Sequence, residues 1–457
     1  MLTIRRVETV VSMQQQLDQG SGCGRDCLGN CCIRGTKLPL YTFGLKGLLS
    51  SNKSVHDIDE SHCVPDDVGC HANPPQENYF LDELLAQWED RMERGFFRYD
   101  VTACETKMLP GEYGFIAQLN EGRHSQKRPT EFRVDQVLQP FDSKKFNFTK
   151  VGQEEVLFQF GPSEDGVSEY YEKALVLNSP NVVAINVSPI EYGHALLVPR
   201  VLDCLPQRID QDSFLLALYM AAEANNPYFR LGYNSLGAFA TINHLHFQAY
   251  YLVAPFPIER APTSRITYGR KKCGVKVHEL TKFPVRGLVF EVCTSLEDLS
   301  IAVGNACVYL QNENIPYNVL IADRGSRVFL LPQYFAERQA RGEVDQEILE
   351  TQVNPAVWEI SGHIVLKRRT DYVLATEEYA WKLLAEVSLS RGRFEEVKVK
   401  CLKAAFHEVS DGDDHEMAAT NAESINFMAK FAPSKVNLQS NMLDVVLNHG
   451  EELSVEG

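Results

Sequence analysis

One stretch, residues 240–251, constrains the fold more than any other part of the chain. Its sequence, ATINHLHFQAYY, alternates polar and apolar side chains as a half-buried β-strand does. On such a strand His244, His246 and Gln248 share one face, and the apolar residues between them point into a core. A neutral imidazole is nucleophilic, so one histidine can attack phosphorus while its neighbour and the amide hold the oxygens. The pattern therefore predicts chemistry at a phosphate.

Other interpretations of this pair remain open at this point. Two strand histidines can be half-exposed without any role. A His-x-His strand can also hold a transition metal, but such a site needs a further histidine or carboxylate, which the sequence does not identify. Two other functional classes therefore stay as alternatives: a metal-dependent enzyme with His244 and His246 as ligands, and an inactive nucleotide-binding regulator.

A second block, residues 186–200, precedes the histidine strand. Its sequence, NVSPIEYGHALLVPR, is a turn with a glycine followed by an apolar strand that ends at a proline. Residues 211–225 then have the pattern of a helix. This order resembles the histidine-triad superfamily, specifically its galactose-1-phosphate uridylyltransferase-like transferase branch. The blocks FNFTK (146–150), GYNSLG (232–237) and NHLHFQ (243–248), and most of residues 80–400, resemble the plant GDP-L-galactose phosphorylase family.

The resemblance implies an activity and assigns roles. It implies transfer of GMP from GDP-L-galactose to inorganic phosphate, on the route to ascorbate, with no cofactor for the chemistry. His246 would be the nucleophile, His244 would orient it or the phosphate, and Gln248 would donate to phosphate oxygens. Another sugar-nucleotide or dinucleotide phosphorylase or nucleotidylyltransferase of the same superfamily is the nearest alternative.

Four further residues are expected to contact the substrate, although Asn186 is equally well explained as an ordinary turn cap. They are Asn186, His194, Asn234 and Thr241.

Charge and composition limit the partners. The chain has 457 residues, 44% of them hydrophobic, and a formal net charge of −16. An acidic surface repels nucleic-acid phosphates, so we expect no nucleic-acid partner. The basic patch at residues 123–133 is either a solvated loop or a surface that attracts a diphosphate. Neither a signal peptide nor a membrane span is evident, so we expect a cytoplasmic protein without a membrane partner; a nuclear location and a homodimer stay open.

Four of the twelve cysteines lie together near the N-terminus. Cys23, Cys27, Cys31 and Cys32 have the spacing Cys-x3-Cys-x3-Cys-Cys, which differs from the two separated Cys-x2-Cys pairs of many zinc sites. We therefore predict a reduced thiol cluster on a mobile arm and no metal among the site residues. A structural zinc ion stays an alternative.

The fold class predicted is α+β, a histidine-triad-like antiparallel sheet with packed helices. The helix predicted at residues 296–312 and the strands at 318–322 and 327–332 repeat the order of the histidine half but carry apolar residues where that half has its histidines. We therefore predict two pseudo-repeats, the C-terminal one degenerate. The expected domains are a mobile Cys-rich arm and linker (1–78), a catalytic domain (79–269), a degenerate second repeat (270–407) and an acidic, mostly disordered tail (408–457).

Three local predictions complete this interpretation. Residues 146–150 and 156–160 are expected to form two strands, and residues 161–179 an exposed connection. Residues 354–368 are expected to reach the active site as a late strand and loop.

Overall fold

The computed structural model describes residues 26–44, 79–126, 131–267 and 274–406. The predicted tail at 408–457 and Cys23 lie outside these ranges. No helix in the described part of the chain combines the length and the apolar character needed to cross a bilayer.

The described strands form one sheet of twelve strands and one of three. In chain order they are β1 (Lys37–Phe43), β2 (Glu105–Met108), β3 (Ile116–Leu119), β4 (Val156–Pro162), β5 (Glu169–Leu175), β6 (Val182–Ile185), β7 (Ala195–Val198), β8 (Phe229–Asn234), β9 (Phe247–Tyr251), β10 (Thr263–Ile266), β11 (Val275–Leu280), β12 (Leu288–Val292), β13 (Tyr317–Ala322), β14 (Arg327–Pro332) and β15 (His363–Leu366). The large sheet has the order β10-β11-β12-β14-β13-β8-β9-β7-β6-β4-β1-β5, and the small sheet has the order β15-β3-β2.

The α-helices pack on both faces of the large sheet. They are α1 (Tyr79–Glu93), α2 (Glu121–Gln126), α3 (Gln211–Ala224), α4 (Pro257–Arg260), α5 (Leu296–Asn312), α6 (Phe335–Ala340), α7 (Gln346–Glu350), α8 (Val357–Ile360), α9 (Arg369–Leu374), α10 (Glu377–Ala385) and α11 (Arg391–Phe406). Residues of α1, α3, α5 and α11 form the core on one face of the sheet. Residues of α4, α8 and α10, together with the small sheet, form the core on the other face.

The large sheet shows the predicted duplication directly. Its two central strands, β8 and β13, pair antiparallel, with Asn234 opposite Asn318. Outward from this pair, the order β8-β9-β7-β6 on one side matches β13-β14-β12-β11 on the other. Each half also has the same chain order, two strands, a long helix and two strands. The prediction of an α+β fold made of two pseudo-repeats is therefore confirmed.

The two long central helices begin where the sequence predicts. The side chain of Asp210 accepts a hydrogen bond from the N–H of Ser213 at the start of α3, and Ser295 does the same for Asp298 at the start of α5. These caps satisfy N–H groups that the first helical turn leaves unpaired. Helix α5 spans the predicted residues 296–312, and α3 ends one residue before its predicted end.

Part of the chain expected to be a mobile arm is a strand of the large sheet. β1 lies between β4, to which it is parallel, and β5, to which it is antiparallel. Tyr41 and Phe43 of β1 are buried against aromatic side chains of β4, α1 and α3. The prediction that residues 26–44 belong to a mobile arm is therefore wrong. Burial of these two rings holds the segment in the large sheet. The division between residues 269 and 270 stays a prediction.

Three local predictions also need correction. Residues 148–150 form a 3-10 turn rather than a strand, because the side chain of Asn147 accepts the N–H of Thr149 and caps the turn. Residues 161–179 are not wholly a connection, since β4 extends to Pro162 and Glu169–Leu175 forms the edge strand β5. The histidine strand is shorter than expected, because β9 begins only at Phe247.

Candidate active site

The predicted alternation of faces is present around β9, even though His244 and His246 precede the strand. Leu245, Phe247 and Ala249 lie in the core that contains the long helices. Tyr250 lies in the core on the opposite face. The next strand on one side, β8, places Gly232 opposite Gln248. Gln248 therefore lies on the face of the sheet that the C-terminal part of the chain covers, whereas the rings of His244 and His246 lie against Phe148.

The backbone of His246 is held by one glutamine from a distant part of the chain. The N–H of His246 donates to Oε1 of Gln207 at 3.0 Å, and Nε2 of Gln207 donates to the carbonyl of His246 at 3.2 Å. Gln207 is itself held, because its N–H donates to Oδ1 of Asn243 at 2.8 Å. All three residues are buried. The position of His246 is thus fixed on both of its backbone polar groups before any substrate binds.

The ring of His246 has a defined tautomer. Its Nδ1 lies 2.8 Å from the carbonyl oxygen of His244. Because a carbonyl oxygen only accepts, Nδ1 carries the proton and Nε2 keeps its lone pair. Burial lowers the pKa of His246 to about 4, and the bond to the His244 carbonyl opposes this shift only in part. The ring is therefore neutral at pH 7, with Nε2 as a nucleophilic atom.

The ring of His244 has the opposite tautomer. Its Nδ1 accepts the backbone N–H of Phe148 at 3.1 Å, so Nε2 carries the proton. Burial first, and then the neighbouring His246, lower the pKa of His244 to about 3, and the Val201 carbonyl acts against them. Nε2 is buried and has no hydrogen-bond partner at normal distance among the described residues. Because Nδ1 is occupied by the Phe148 N–H, the Val201 carbonyl acts at Nε2–H, and an oxygen atom of a bound substrate would take its place as the acceptor.

The amide of Gln248 is oriented by an indole from the C-terminal half of the chain. Its Oε1 accepts from Nε1 of Trp358 at 3.0 Å. His194 lies beside this amide, and its interaction with the Gln248 side chain acts against the lowering of the His194 pKa by burial. Nδ1 of His194 accepts the N–H of Ile190 at 2.8 Å. With Oε1 held by the indole N–H, the NH2 group of Gln248 is the part of the amide that remains for a phosphate oxygen.

Gly232 leaves the space that Trp358 needs to reach Gln248. A Cβ at this position would lie 2.6 Å from Val357 and 3.1 Å from the ring of Trp358. Only a glycine on β8 therefore lets α8 approach the strand close enough for the indole to reach Gln248.

The expected substrate-binding residues divide into two sets. Nδ2 of Asn186 lies 3.1 Å from Nε2 of His194, so these two residues lie together beside Gln248. Burial is the main cause that lowers the pKa of His194 well below its usual range, so its ring is neutral. Oδ1 of Asn234, in contrast, accepts from the N–H of Val357 at 2.9 Å and from Nδ2 of Asn318 at 2.6 Å, which ties it to the second half. Thr241 is half-buried. Substrate contact by these residues stays a prediction.

Sequence reasoning missed several residues that shape the site. Gln207 and Trp358 lie far from the motif in sequence, and no local pattern marks either of them. Phe148 belongs to a block that carried the family resemblance, but its contribution is a backbone N–H. Arg123, from the predicted basic patch, lies close enough to lower the pKa of both His194 and Lys367. Its positive charge therefore adds to the attraction of the site for an anion.

The segment at residues 354–368 reaches the site as predicted, through α8 and not through a loop. His363, which follows α8, bonds through Nδ1 to the hydroxyl of Tyr250 at 2.8 Å. Burial lowers the pKa of His363 to about 3, so this histidine is neutral and packed behind the motif.

A cavity of about 350 Å³ lies beside residues 236–240. Its wall also includes Phe132, Arg133 and Ala336, but none of the three motif side chains. The cavity is therefore not the place of phosphorus chemistry at His246.

The described residues do not support a metal site at the motif. His244 and His246 have no third histidine, cysteine or carboxylate grouped with them there. One such group does exist elsewhere in the described chain, at Cys27, Cys31 and Cys32.

Comparison with known proteins gives consistent matches. The family model described as "GDPGP1-like, N-terminal domain" matches residues 79–250, and "GDPGP1-like, C-terminal domain" matches residues 257–408. GDP-L-galactose phosphorylase 1 of Arabidopsis thaliana is 60% identical over 410 residues, 88% of this chain and 89% of that protein. GDP-D-glucose phosphorylase 1 of Homo sapiens is 33% identical over 377 residues, 79% of this chain and 90% of that protein. Among solved structures, yeast Ap4A phosphorylase Apa2 is 14% identical with a TM-score of 0.45, covering 68% of this chain and 96% of that one.

Proposed function

This chain belongs to the GDPGP1-like family and is a nucleotidyltransferase, and we propose that it is a GDP-L-galactose phosphorylase. The reaction transfers GMP from GDP-L-galactose to inorganic phosphate and gives L-galactose 1-phosphate and GDP, a step on the route to ascorbate. Its relatives in Arabidopsis thaliana carry this name and match most of both chains. The structural observation that carries the mechanism is the tautomer of His246, which leaves Nε2 unprotonated.

In the first half of the reaction, Nε2 of His246 attacks the α-phosphorus of the GDP-sugar. A P–N bond forms, the bond from the α-phosphorus to the bridging oxygen breaks, and hexose 1-phosphate leaves with the electron pair. Hexose 1-phosphate is a good leaving group, so the site needs little general acid. The main requirement is to stabilise charge on the non-bridging oxygens of the phosphorus.

We infer that two side chains donate to these oxygens. The NH2 group of Gln248 and Nε2–H of His244 are both donors that the surrounding residues orient. The carbonyl of His244 meanwhile holds Nδ1–H of His246 and stabilises the positive charge that develops on the ring. These groups are fixed by contacts within the protein, so little reorganisation is needed when the charge develops.

In the second half, an oxygen of inorganic phosphate attacks the phosphorus of the GMP–His246 intermediate. A P–O bond forms and the P–N bond breaks, which returns the lone pair to Nε2 and releases GDP. The two half-reactions together return the imidazole to its starting state, and the proton on Nδ1 does not have to move in either of them.

The hexose is the part of this proposal that needs a direct test. The human relative acts, by its name, on GDP-D-glucose, so GDP-D-glucose phosphorolysis is the second candidate. A panel of GDP-L-galactose, GDP-D-glucose, GDP-mannose and UDP-glucose, each with phosphate, should be compared by kcat/KM for nucleoside diphosphate release. We expect GDP-L-galactose to give the highest value. A higher value for GDP-D-glucose would replace the proposed hexose, and a preference for the UDP-sugar would overturn the assignment to GDP-sugars.

A further inference from the structure

Three cysteine sulfur atoms converge near the start of the described chain. The Sγ atoms of Cys27, Cys31 and Cys32 all lie within 4.8 Å of one another, and those of Cys27 and Cys31 are 3.6 Å apart. A tetrahedral zinc ion with Zn–S bonds of about 2.3 Å separates its sulfur ligands by about 3.8 Å. The three sulfurs therefore need only small movements to reach the spacing of a thiolate metal site.

The turn between these cysteines is built around the sulfurs. The N–H of Gly29 donates to Sγ of Cys27 at 3.3 Å, so the turn directs a backbone donor at this sulfur. A Cβ at Gly29 would lie 3.3 Å from Sγ of Cys27 and 3.5 Å from Sγ of Cys31, and 3.4 Å from the Thr149 carbonyl. A side chain at this position would crowd Sγ of Cys27 and touch Sγ of Cys31. The N–H groups of Cys32 and Ile33 both donate to the carbonyl of Gly29 at 3.0 Å, which closes the turn.

We propose that Cys27, Cys31 and Cys32 bind one thiophilic divalent cation, with Zn²⁺ as the best match and water as the fourth ligand. Each thiol loses its proton to solvent as its sulfur bonds the metal, so binding tightens as pH rises. Cys31 is exposed, which leaves the fourth position open to water. A disulfide would use only two of the sulfurs, whereas a metal accounts for the convergence of all three. The proposal is independent of the transfer reaction, since none of the three lies in the motif.

The site would fasten the N-terminal segment to the wall of the active site. Cys27 forms an isolated antiparallel bridge with Gly152, and the N–H of Leu28 donates to the carbonyl of Val151 at 2.9 Å. Residues 148–152, which these contacts hold, include Phe148, whose backbone N–H donates to Nδ1 of His244. A metal at the cysteines therefore stabilises the segment that orients one of the two motif histidines.

Metal content of the full-length protein tests the proposal. After purification under reducing conditions and dialysis, we expect about one zinc per chain, as structural thiolate sites retain their metal. Replacement by Co²⁺ should give the sulfur-to-cobalt charge-transfer absorption of a thiolate site. Cys27→Ser and Cys31→Ser should lose both signals, whereas Cys293→Ser, an exposed cysteine outside the cluster, should keep them.

The wild-type measurement keeps the test decisive if a variant fails to fold. A metal-free wild-type protein that takes up no Co²⁺ under reducing conditions would overturn the proposal, as would a Cys27–Cys31 disulfide found by mass spectrometry. Metal retained in folded Cys27→Ser and Cys31→Ser would place the metal elsewhere and equally overturn it. Protection of residues 148–153 from hydrogen exchange that falls on metal removal would support the proposed link to the active site.

Discussion

The two motif histidines differ in which ring nitrogen carries the proton. A carbonyl holds Nδ1–H of His246, and a backbone N–H holds Nδ1 of His244. The first ring is therefore a nucleophile at Nε2 and the second a donor at Nε2, although the two residues are of the same type and only two positions apart. Local backbone geometry thus separates their roles, and burial keeps both rings neutral.

The low pKa of His246 predicts a flat pH profile for the first half-reaction. With a pKa of about 4, the ring is almost wholly neutral at both pH 5 and pH 7. The rate of GMP transfer to the protein without phosphate should then change less than about twofold over this range. An ordinary histidine with a pKa near 6.5 would lose about 20-fold on going from pH 7 to pH 5. An acid limb near pH 6.5 would show that the nucleophile is not the buried ring.

Trp358 is predicted to act on the chemistry through Gln248. Trp358→Phe removes the N–H donor to Oε1 of Gln248 while keeping an aromatic ring. We expect GMP transfer to slow about tenfold, since an orienting hydrogen bond is lost, with little change in GDP-sugar affinity. Trp381→Phe is the matched control, because the Trp381 ring packs at a tilt against Tyr113, outside the motif. Equal effects of the two variants on rate and affinity would mean that Trp358 only supports the fold.

At the scale of elements, β1 extends the large sheet beyond the histidine half. Phe43 of β1 is fully buried and stacks on Phe160 at 4.7 Å between ring centroids. It also contacts Tyr219 of α3. The N-terminal segment is therefore joined to the same core as the long helices, and the cysteine cluster precedes it by only a few residues.

Phe43→Ala should destabilise the protein by about 3–5 kcal/mol. The substitution loses the free energy of transferring the ring from water to the core, and it creates a cavity there. Tyr171→Ala, on the neighbouring strand β5, is the control, since Tyr171 is an exposed aromatic residue. The free energy of unfolding in urea distinguishes the two variants. Similar values for both would contradict the placement of β1 in the core.

The sequence predicted elements with strong local patterns and missed those that depend on distant partners. The bounds of α5 and the alternation of faces at the motif follow from periodicity within a few residues. β1 pairs with residues about 120 positions away. The composition of this short segment, which comes just after the cysteine cluster, does not by itself indicate a strand. The aromatic residues at 146 and 148 predict a strand, but the chain forms a turn there, because the Asn147 side chain accepts the N–H of Thr149.

The same limit applies to the site. His244, His246 and Gln248 lie in one short segment, so a motif shows them. Gln207 and Trp358 reach this segment only through tertiary structure, and no pattern in a single sequence relates them to it.

At the scale of the whole molecule, the second repeat supplies contacts that the first cannot make alone. Its strand β13 pairs with β8 at the centre of the sheet, and its Trp358 donates a hydrogen bond to the side chain of Gln248. Asn318 also donates to Asn234 at the end of β8. The C-terminal half is therefore part of the support of the active site, although the motif lies wholly in the first half.

A fragment that ends at residue 269 should aggregate and lose activity. The fragment lacks β13, which exposes the edge of β8. It also lacks α8, which leaves the apolar face around Tyr250 uncovered. Size-exclusion chromatography of residues 26–269 beside the full chain measures this. A soluble, fully active fragment would show that the second repeat is dispensable.

The covalent intermediate tests the central claim most directly. With GDP-L-galactose and no phosphate, the wild-type protein should bind about one GMP per chain through an acid-labile, base-stable P–N bond, with a matching burst of hexose 1-phosphate. His246→Asn should give neither, whereas His244→Asn should still acquire GMP at a rate lowered about ten- to thousandfold, because its nucleophile remains. Intact-protein mass spectrometry of the three proteins, with addition of phosphate to release GDP, measures this in one series. GMP bound to the His246→Asn protein, or turnover of the wild-type protein with no bound GMP at any time, would contradict transfer through His246.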